Sequence, residues 1–406
     1  LALTALNQIS ALSFVESDQK SKFFDIVLGR RFVFSLFVLI ALITGVKQYA
    51  RGSYNNYKIF KHTFLHSLSE KPLFAEYPEE YGDSNHYGPV FALVIAPFAL
   101  LPDALGTTLW NIANALILCT GFYSLPLPLR TRSIIALLCA HEALVAMLSF
   151  QFNVGLTGLI MLSFSYLHNG KEVKSAIAIA LGTLIKLYGI VGLAFFFFSK
   201  NKLKLILSGL IALIALVLLP ALLSSPEFII RSYTDWFMSL KEKNMQNVSL
   251  NSMQDISFMG MVRRIMQDAS IPNLPFLIGG LSLFFLPYAR ISQYQYKTYR
   301  LMLLASVLIF TVIFSSGSES PTYIIAFAGV SIWFMIQEFP GSKGILFLFV
   351  FAFLLTSMSP SDLFPKIIRD TYIKPYSLKA LPCVLIWFVI IYQMLTIDFK
   401  KLNTHA

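Results

Sequence analysis

Charge is scarce in this chain. Only 13% of its 406 residues are Asp, Glu, Lys or Arg, against about 25% in soluble proteins. Hydrophobic residues make up 56%, and the mean hydropathy is +0.68. With so few charges, apolar runs of roughly 17–25 residues follow one another along the whole length. That excludes a soluble globular domain. Alternating strand patterns are missing too, and lipid requires every backbone amide to be paired internally, so the runs read as helices. Cysteine is sparse. Cys119, Cys139 and Cys383 all fall in apolar runs without metal-ligand spacing, which points to packed thiols rather than a disulfide framework or zinc site. No nucleic-acid motif accompanies the net charge of +11. The excess reads as positive-inside loops, with anionic lipid phosphates as further partners. Residues 1–30 lack a signal-peptide layout, because their charges follow the apolar part, and they read as an interfacial helix ending at Arg30 and Arg31.

What is present is a polytopic, all-α membrane protein forming a single domain over residues 1–406. Hydropathy marks about twelve spans: 32–49, 88–102, 104–126, 133–150, 152–168, 174–198, 203–223, 274–289, 300–316, 320–337, 344–358 and 379–397. Arg30 and Arg31, the lysines of 200–204, the arginines of 290–300, and Lys400 and Lys401 then share the cytoplasmic side. The cations of 130–132 and 171–174 fall on the wrong side, as they would if helices within 88–200 were short or re-entrant. Three outer segments are too long to be turns: 50–88, 224–273 and 359–378. Long structured loops in compact proteins usually carry function.

The first of these segments holds the densest polar chemistry. Tyr57, Phe60, Phe64 and Leu68 form one stripe, with Lys58, Lys61 and His62 off it, which predicts an amphipathic helix on the membrane surface. The stretch YPEEYGDSNHYGP over 77–89 then brings Glu79, Glu80 and Asp83 to the mouth of the next helix. Asp83 is the acid nearest that mouth. Tyr87 joins the substrate-binding candidates. His62 and His66 stand four residues apart, but no acid on that helix completes a metal site, so a divalent metal has no support.

Ionisable groups inside spans are expensive and need partners. Glu142 and Lys186 lie mid-run, in ALLCAHEALVAML and LGTLIKLYGIVG, and are expected to pair with each other or to share a water-filled cavity. Gln151 and Asn153, at a helix boundary, suit either sugar hydroxyls or helix capping. Glu319 precedes Pro321, where an acid is favoured by the helix dipole and could also face the cavity. Lys366, Arg369, Lys374 and Lys379 lie on the outer side against the positive-inside trend. Lys366 and Arg369 are the candidates for a phosphate.

Several segments, in this order, resemble the C superfamily of integral-membrane glycosyltransferases and, within it, family 87: NNYKIFKHTFLHSLSEKPLF, YPEEYGDSNHYGPVFALVIAPFALLP, LWNIANALIL, QFNVGLTGLIML, the IKLYG helix, ESPTYIIAFAGVSIWF and SDLFPKIIRD…SLKALPCVLIW. That family includes a mycobacterial mannosyltransferase of phosphatidylinositol mannosides, and the segments look most like a Bacteroidetes-type subgroup. The resemblance spans about residues 32–397. It implies a C-type fold in the bacterial inner membrane, a periplasmic active site, a polyprenyl-phosphate sugar as donor, a lipid or glycan acceptor, and inverting hexosyl transfer. The general base would be a carboxylate of the first outer loop. Where family members often carry that acid, this chain has Asn55 and Asn56, which cannot take a proton from a hydroxyl. They become substrate-binding candidates, and the base falls to Asp83 or, second, to Glu80. The competing readings are a flippase for a lipid-linked sugar, for which no paired symmetry is visible, and a non-catalytic subunit that keeps the fold.

Overall fold

The computed structural model describes residues 24–337, 342–362 and 364–402. The interfacial helix expected over 1–30 lies mostly outside them. The described residues form helices and turns, with no β-strand among them. In chain order the helices are α1 Arg30–Ala50, α2 Asn55–Leu68, α3 Phe91–Ala99, α4 Asp103–Ser124, α5 Leu129–Leu148, α6 Asn153–His168 and α7 Glu172–Ile185. A 3₁₀ segment, Leu187–Phe198, follows. Then come α8 Lys202–Leu218, α9 Pro226–Asn247, α10 Phe258–Met266, α11 Asn273–Phe285, α12 Lys297–Ile313, α13 Tyr323–Met335, α14 Lys343–Ala352 and, after shorter turns, α15 Leu381–Thr396. Five stretches are long and apolar enough to cross a membrane: Arg30–Ala50, Asp103–Ser124, Leu129–Leu148, Lys202–Leu222 and Leu378–Thr396. Leu187–Phe198, Asn273–Ala289, Ser320–Met335 and Lys343–Met358 are shorter apolar helices.

Two of the expected spans do not connect the ends of the bundle. Residues 88–102 begin where the Gly88 amide donates to the Ile185 carbonyl (3.1 Å) and finish beside α2, where the Tyr57 hydroxyl donates to the Phe98 carbonyl (2.8 Å). Residues 174–198 rise as α7, break at Lys186 (φ −147°, ψ 122°) and turn back. Gly182 and Gly189 pass so closely that a Cβ on Gly189 would lie 2.1 Å from a backbone carbon of Gly182. The returning arm ends where the Ser199 hydroxyl and the Asn201 amide donate to Glu172 at the base of α7. The misplaced cations are thereby explained. The Ser133 hydroxyl donates to the Leu28 carbonyl and Arg130 pairs with Asp25 (2.6 Å), so the 130–132 loop lies beside the start of α1. Lys171 likewise lies at the same end as Lys200. Arg300 stacks over the Phe198 ring and Arg290 donates to the Met394 and Ile397 carbonyls, which completes one basic end. The acidic loop lies at the opposite end, beyond α2.

The core lies where α4, α6, α12, α13 and α15 meet. Trp110, Trp333 and Trp387 are fully enclosed there. Each indole N–H has a partner: Phe150 carbonyl at 2.8 Å, Gln393 Oε1 at 2.8 Å and Ser306 Oγ at 3.0 Å, in that order. The expected Glu142–Lys186 pair does not form. Glu142 faces Lys379 (3.2 Å), whose ammonium also donates to the carbonyl and hydroxyl of Ser320 (3.1 and 3.0 Å). Lys186 ends its helix and binds Asn153 instead. Helical periodicity places a charge on a face, but it does not say which of many faces meets it. Glu142 and Lys379 are 0% and 4% exposed. Removing one partner of such a pair strands the other, so Lys379→Met should cost about 3–5 kcal/mol. The double variant Glu142→Leu/Lys379→Met should recover most of that loss in thermal unfolding of the detergent-solubilised protein. Equal losses in both would show that the pair is not the stabilising contact.

Candidate active site

The first outer segment is fastened along its length. In α2, Tyr57, Phe60 and Phe64 are buried as the stripe predicts, while Leu68 is exposed. Lys61 reaches Asp103 (2.6 Å) at the start of α4. The loop after α2 folds back over it. Glu80 Oε2 lies 2.7 Å from His66 Nε2 and 3.6 Å from His62 Nε2. The Asn55 side chain holds Gly82 from both sides, donating to its carbonyl and accepting from its amide (2.8 Å). Next in line, Asp83 has a left-handed backbone (φ 70°) and takes the Ser84 amide on its own carboxylate (2.8 Å). Asp tolerates this conformation better than most residues. Gly88 closes the loop, where a Cβ would stand 2.0 Å from the Leu184 carbonyl and 3.0 Å from the Trp236 ring. Only glycine fits there.

Helix α9 covers this loop. Ser225 caps it, accepting from the Phe228 amide (3.3 Å), and Pro226 supplies the pre-set first turn. Trp236 donates its indole N–H to the His86 carbonyl (2.9 Å), Ser239 Oγ lies 3.0 Å from His86 Nδ1, and Lys243 meets Asp83 at 3.3 Å. Between helix and loop lies a cavity of about 320 Å³. Asn56, Asp83, His86 and Tyr87 line it from the first outer segment. Gln151, Lys186 and Tyr188 line it from the bundle, Lys243, Asn244 and Asn247 from α9, and Gln254 and Glu319 from the remaining loops.

A string of hydrogen bonds forms one wall. Lys186 Nζ donates to Asn153 Oδ1 (2.8 Å), Asn153 to Gln151 Oε1 (2.6 Å), and Gln151 to Glu319 Oε2 (2.8 Å). Gln254 donates to the other Glu319 oxygen (2.9 Å). Glu319 therefore has a donor on each carboxylate oxygen. Its own amide also donates to the Thr322 hydroxyl (3.1 Å), as at a helix start. Gln254 is held in turn by Arg264, which donates to the Gln254 and Asp255 carbonyls (2.8 Å each). Arg264 is anchored beside the buried Asp255–Arg263 pair (2.5 Å). Asp83, by contrast, is half exposed, and beyond the Ser84 amide its carboxylate meets Lys243 and, at 3.9 Å, His86. Of the two cavity carboxylates it is the one open to a hydroxyl. Asn247 Oδ1 is buried in the cavity wall without a hydrogen-bond partner among the described residues.

Not every expected site residue comes to this cavity. Glu80 is occupied by the two histidines and does not line it, and Asn55 serves the Gly82 turn. Asn153 stands behind Gln151, and Glu142 is enclosed with Lys379 elsewhere in the bundle. Arg369 faces Asp362 and Asp370 (3.4 and 3.2 Å), Lys374 faces Asp370 (2.9 Å), and Lys366 is exposed. The 359–378 segment reaches this end of the molecule at Ser377, whose hydroxyl accepts from Arg264, but none of its described residues lines the cavity. No cluster of three or more His, Cys, Asp or Glu suited to a metal occurs among the described residues. Sequence reasoning missed Lys243, His86, Asn244, Asn247 and Gln254. The spacing of Trp236, Leu240, Lys243 and Asn247 on one helical face was the available signal for α9.

A charged, sugar-sized cavity under an interfacial helix, at one end of an apolar helical bundle, is the setting of a membrane glycosyltransferase. The sequence pattern of glycosyltransferase family 87 matches residues 85–316, more than half of the chain and most of the cavity wall. The chain belongs to that family and is a glycosyltransferase. No curated protein sequence matches it.

Burial, and then the Lys243 ammonium, push the His86 imidazole down to about 4, against a smaller upward pull from Asp83. A histidine lowered in the folded state contributes stability that is complete above its unfolded value, about 6.5. That stability is lost as pH falls through the folded value. Melting temperature should therefore drop as the pH is lowered from about 6.5 toward about 4. His86→Gln should flatten that decline. Superimposable profiles would rule out His86 as the titrating group.

Proposed function

We propose that the chain moves a hexose, mannose-like in stereochemistry, from a polyprenyl-phosphate sugar to a lipid or glycan acceptor at the periplasmic face of the bacterial inner membrane. The observation that carries this reading is the Asp83 carboxylate, 3.3 Å from Lys243, on a cavity that also holds the Lys186 ammonium. A phosphate-bearing donor calls for cations, and an attacking hydroxyl calls for a base. Both stand here within one wall-to-wall space.

The reaction is a single displacement. The acceptor oxygen attacks the anomeric carbon as Asp83 takes its proton, and the bond from that carbon to the phosphate oxygen breaks. Polyprenyl phosphate leaves as an anion, so no strong general acid is required. Lys243 and Lys186, rather than Lys366 and Arg369, stabilise the charge that develops on the leaving group. Lys243 gives up the Asp83 carboxylate to do so, which frees the base as the donor arrives. The unpartnered Asn247 Oδ1 accepts from a sugar hydroxyl.

The test uses the purified full chain in nanodiscs with polyprenyl-phosphate mannose as donor. Asp83→Asn should lower kcat by about 10²–10⁴-fold with the melting temperature preserved. Lys243→Ala should lower kcat/KM for the donor by at least about tenfold, and Glu80→Gln should leave most of the turnover. Full activity in Asp83→Asn would move the base elsewhere. A wild type that carries the donor across proteoliposomes without transferring its sugar would overturn the reading in favour of a flippase.

A further inference from the structure

A second depression adjoins the cavity and differs from it in chemistry. It measures about 330 Å³ and opens at the outer end of α1 and α5. Gln48, Ser53, Asn55, Asn56, Ser149 and Phe150 line it, and no charged residue does. Asn56 lines both spaces and forms the partition between them. All the charged groups, Asp83, Lys186, Lys243 and Glu319, are on the cavity side of that partition.

The depression is held open by its own hydrogen bonds. The α5 helix ends in a left-handed Phe150 (φ 54°), whose carbonyl is taken by Trp110. The Leu148 and Ser149 carbonyls just before it are taken by the amide groups of Gln48 and Asn56, each at 2.8 Å. Each amide uses its N–H on the backbone. Its own oxygen is engaged by no hydrogen bond among the described residues. Two fixed amides and serine hydroxyls recognise neutral hydroxyl-rich molecules, because each hydroxyl both donates and accepts. A phosphate finds no cation there.

We infer that this depression is the acceptor subsite and that it takes a neutral sugar unit. The inference rests on the transferase reading above. A two-substrate transfer needs two adjoining spaces that meet at the base. The cavity, with about 320 Å³, is near the low end of ligand pockets, so it holds one headgroup. Its cations select the phosphate-bearing donor. The acceptor is left the uncharged side. Asn55 joins the two, since it lines the depression and clamps Gly82, the residue before Asp83. The base is thereby carried on the lip between donor and acceptor. The Asn55–Asn56 pair, which lacks the acid expected of relatives, serves as a floor for a neutral glycan and a clamp for the base.

The closing experiment separates this inference from the one it rests on. Binding of maltose, cellobiose and mannobiose to the full chain in nanodiscs is followed by saturation-transfer NMR, which needs no turnover. At least one disaccharide should bind. Ser53→Trp, which removes no side-chain hydrogen bond and fills the depression, should abolish that binding. Asn56→Ala should weaken it at least about tenfold, and Lys243→Ala should leave it unchanged. In the transfer assay Ser53→Trp should raise KM for a neutral octyl glycoside acceptor while leaving KM for the donor within about twofold. Disaccharide binding that survives Ser53→Trp, or no binding by any of the three, overturns the subsite. Disaccharide binding that behaves as expected in a protein that transfers no sugar would sink the transferase reading and leave a neutral-glycan site.

Discussion

An ammonium in a bilayer has to be surrounded by polar atoms, and the architecture around Lys186 follows from that requirement. The helix carrying it stops at the lysine, and the freed backbone finds a partner in the Gly88 amide, which donates to the Ile185 carbonyl. Irregular backbone at such depth is tolerated only where it lines a cavity or is covered by protein, and here both hold. From the lysine the hydrogen bonds run through Asn153 and Gln151 to Glu319, so one solvation problem ties the bundle to its outer loops. The Tyr87 and Tyr188 rings flank the ammonium at 5.7 and 5.1 Å and complete its surroundings.

Rigidity on the far side of the cavity has a separate origin. Asp255, Arg263 and Arg264 are buried together, and Arg264 holds three backbone carbonyls as well as Ser377. Short α10, started by Ser257 and ended by a left-handed Gln267, presents both arginines from one turn. Its neighbour α9 rests on the acidic loop through side chains alone. The back wall is thus held by buried charged and backbone hydrogen bonds, and the cover by side-chain contacts to the loop.

Hydropathy anticipated an all-helical chain, because lipid leaves few alternatives to a helix. It also brought Asp83, Tyr87, Gln151, Lys186 and Glu319 into view, Lys186 as an ammonium in an apolar run and the others as polar residues at helix boundaries. Two things were hidden. The first was direction. An apolar run looks the same whether it crosses or turns back, and only the cations at 130–132 and 171–174 betrayed the hairpin. The second was partnership across long separations. Glu142 and Lys379 stand 237 residues apart, and nothing local marks them as a pair. Lys243 was hidden for a related reason. On an exposed amphipathic helix a lysine is ordinary until the facing residue is known to be an aspartate.

The turned-back segment also bears on how the chain enters the membrane. Its arms have 14 and 12 residues, so at about 1.5 and 2.0 Å of rise per residue neither covers the roughly 30 Å of hydrocarbon. Neither arm can be threaded through the bilayer alone as a stop-transfer sequence. The two arms pack against each other and against α6 as a hairpin. The Glu172 contacts to Ser199 and Asn201 close its open end and make the hairpin a unit that can be delivered whole.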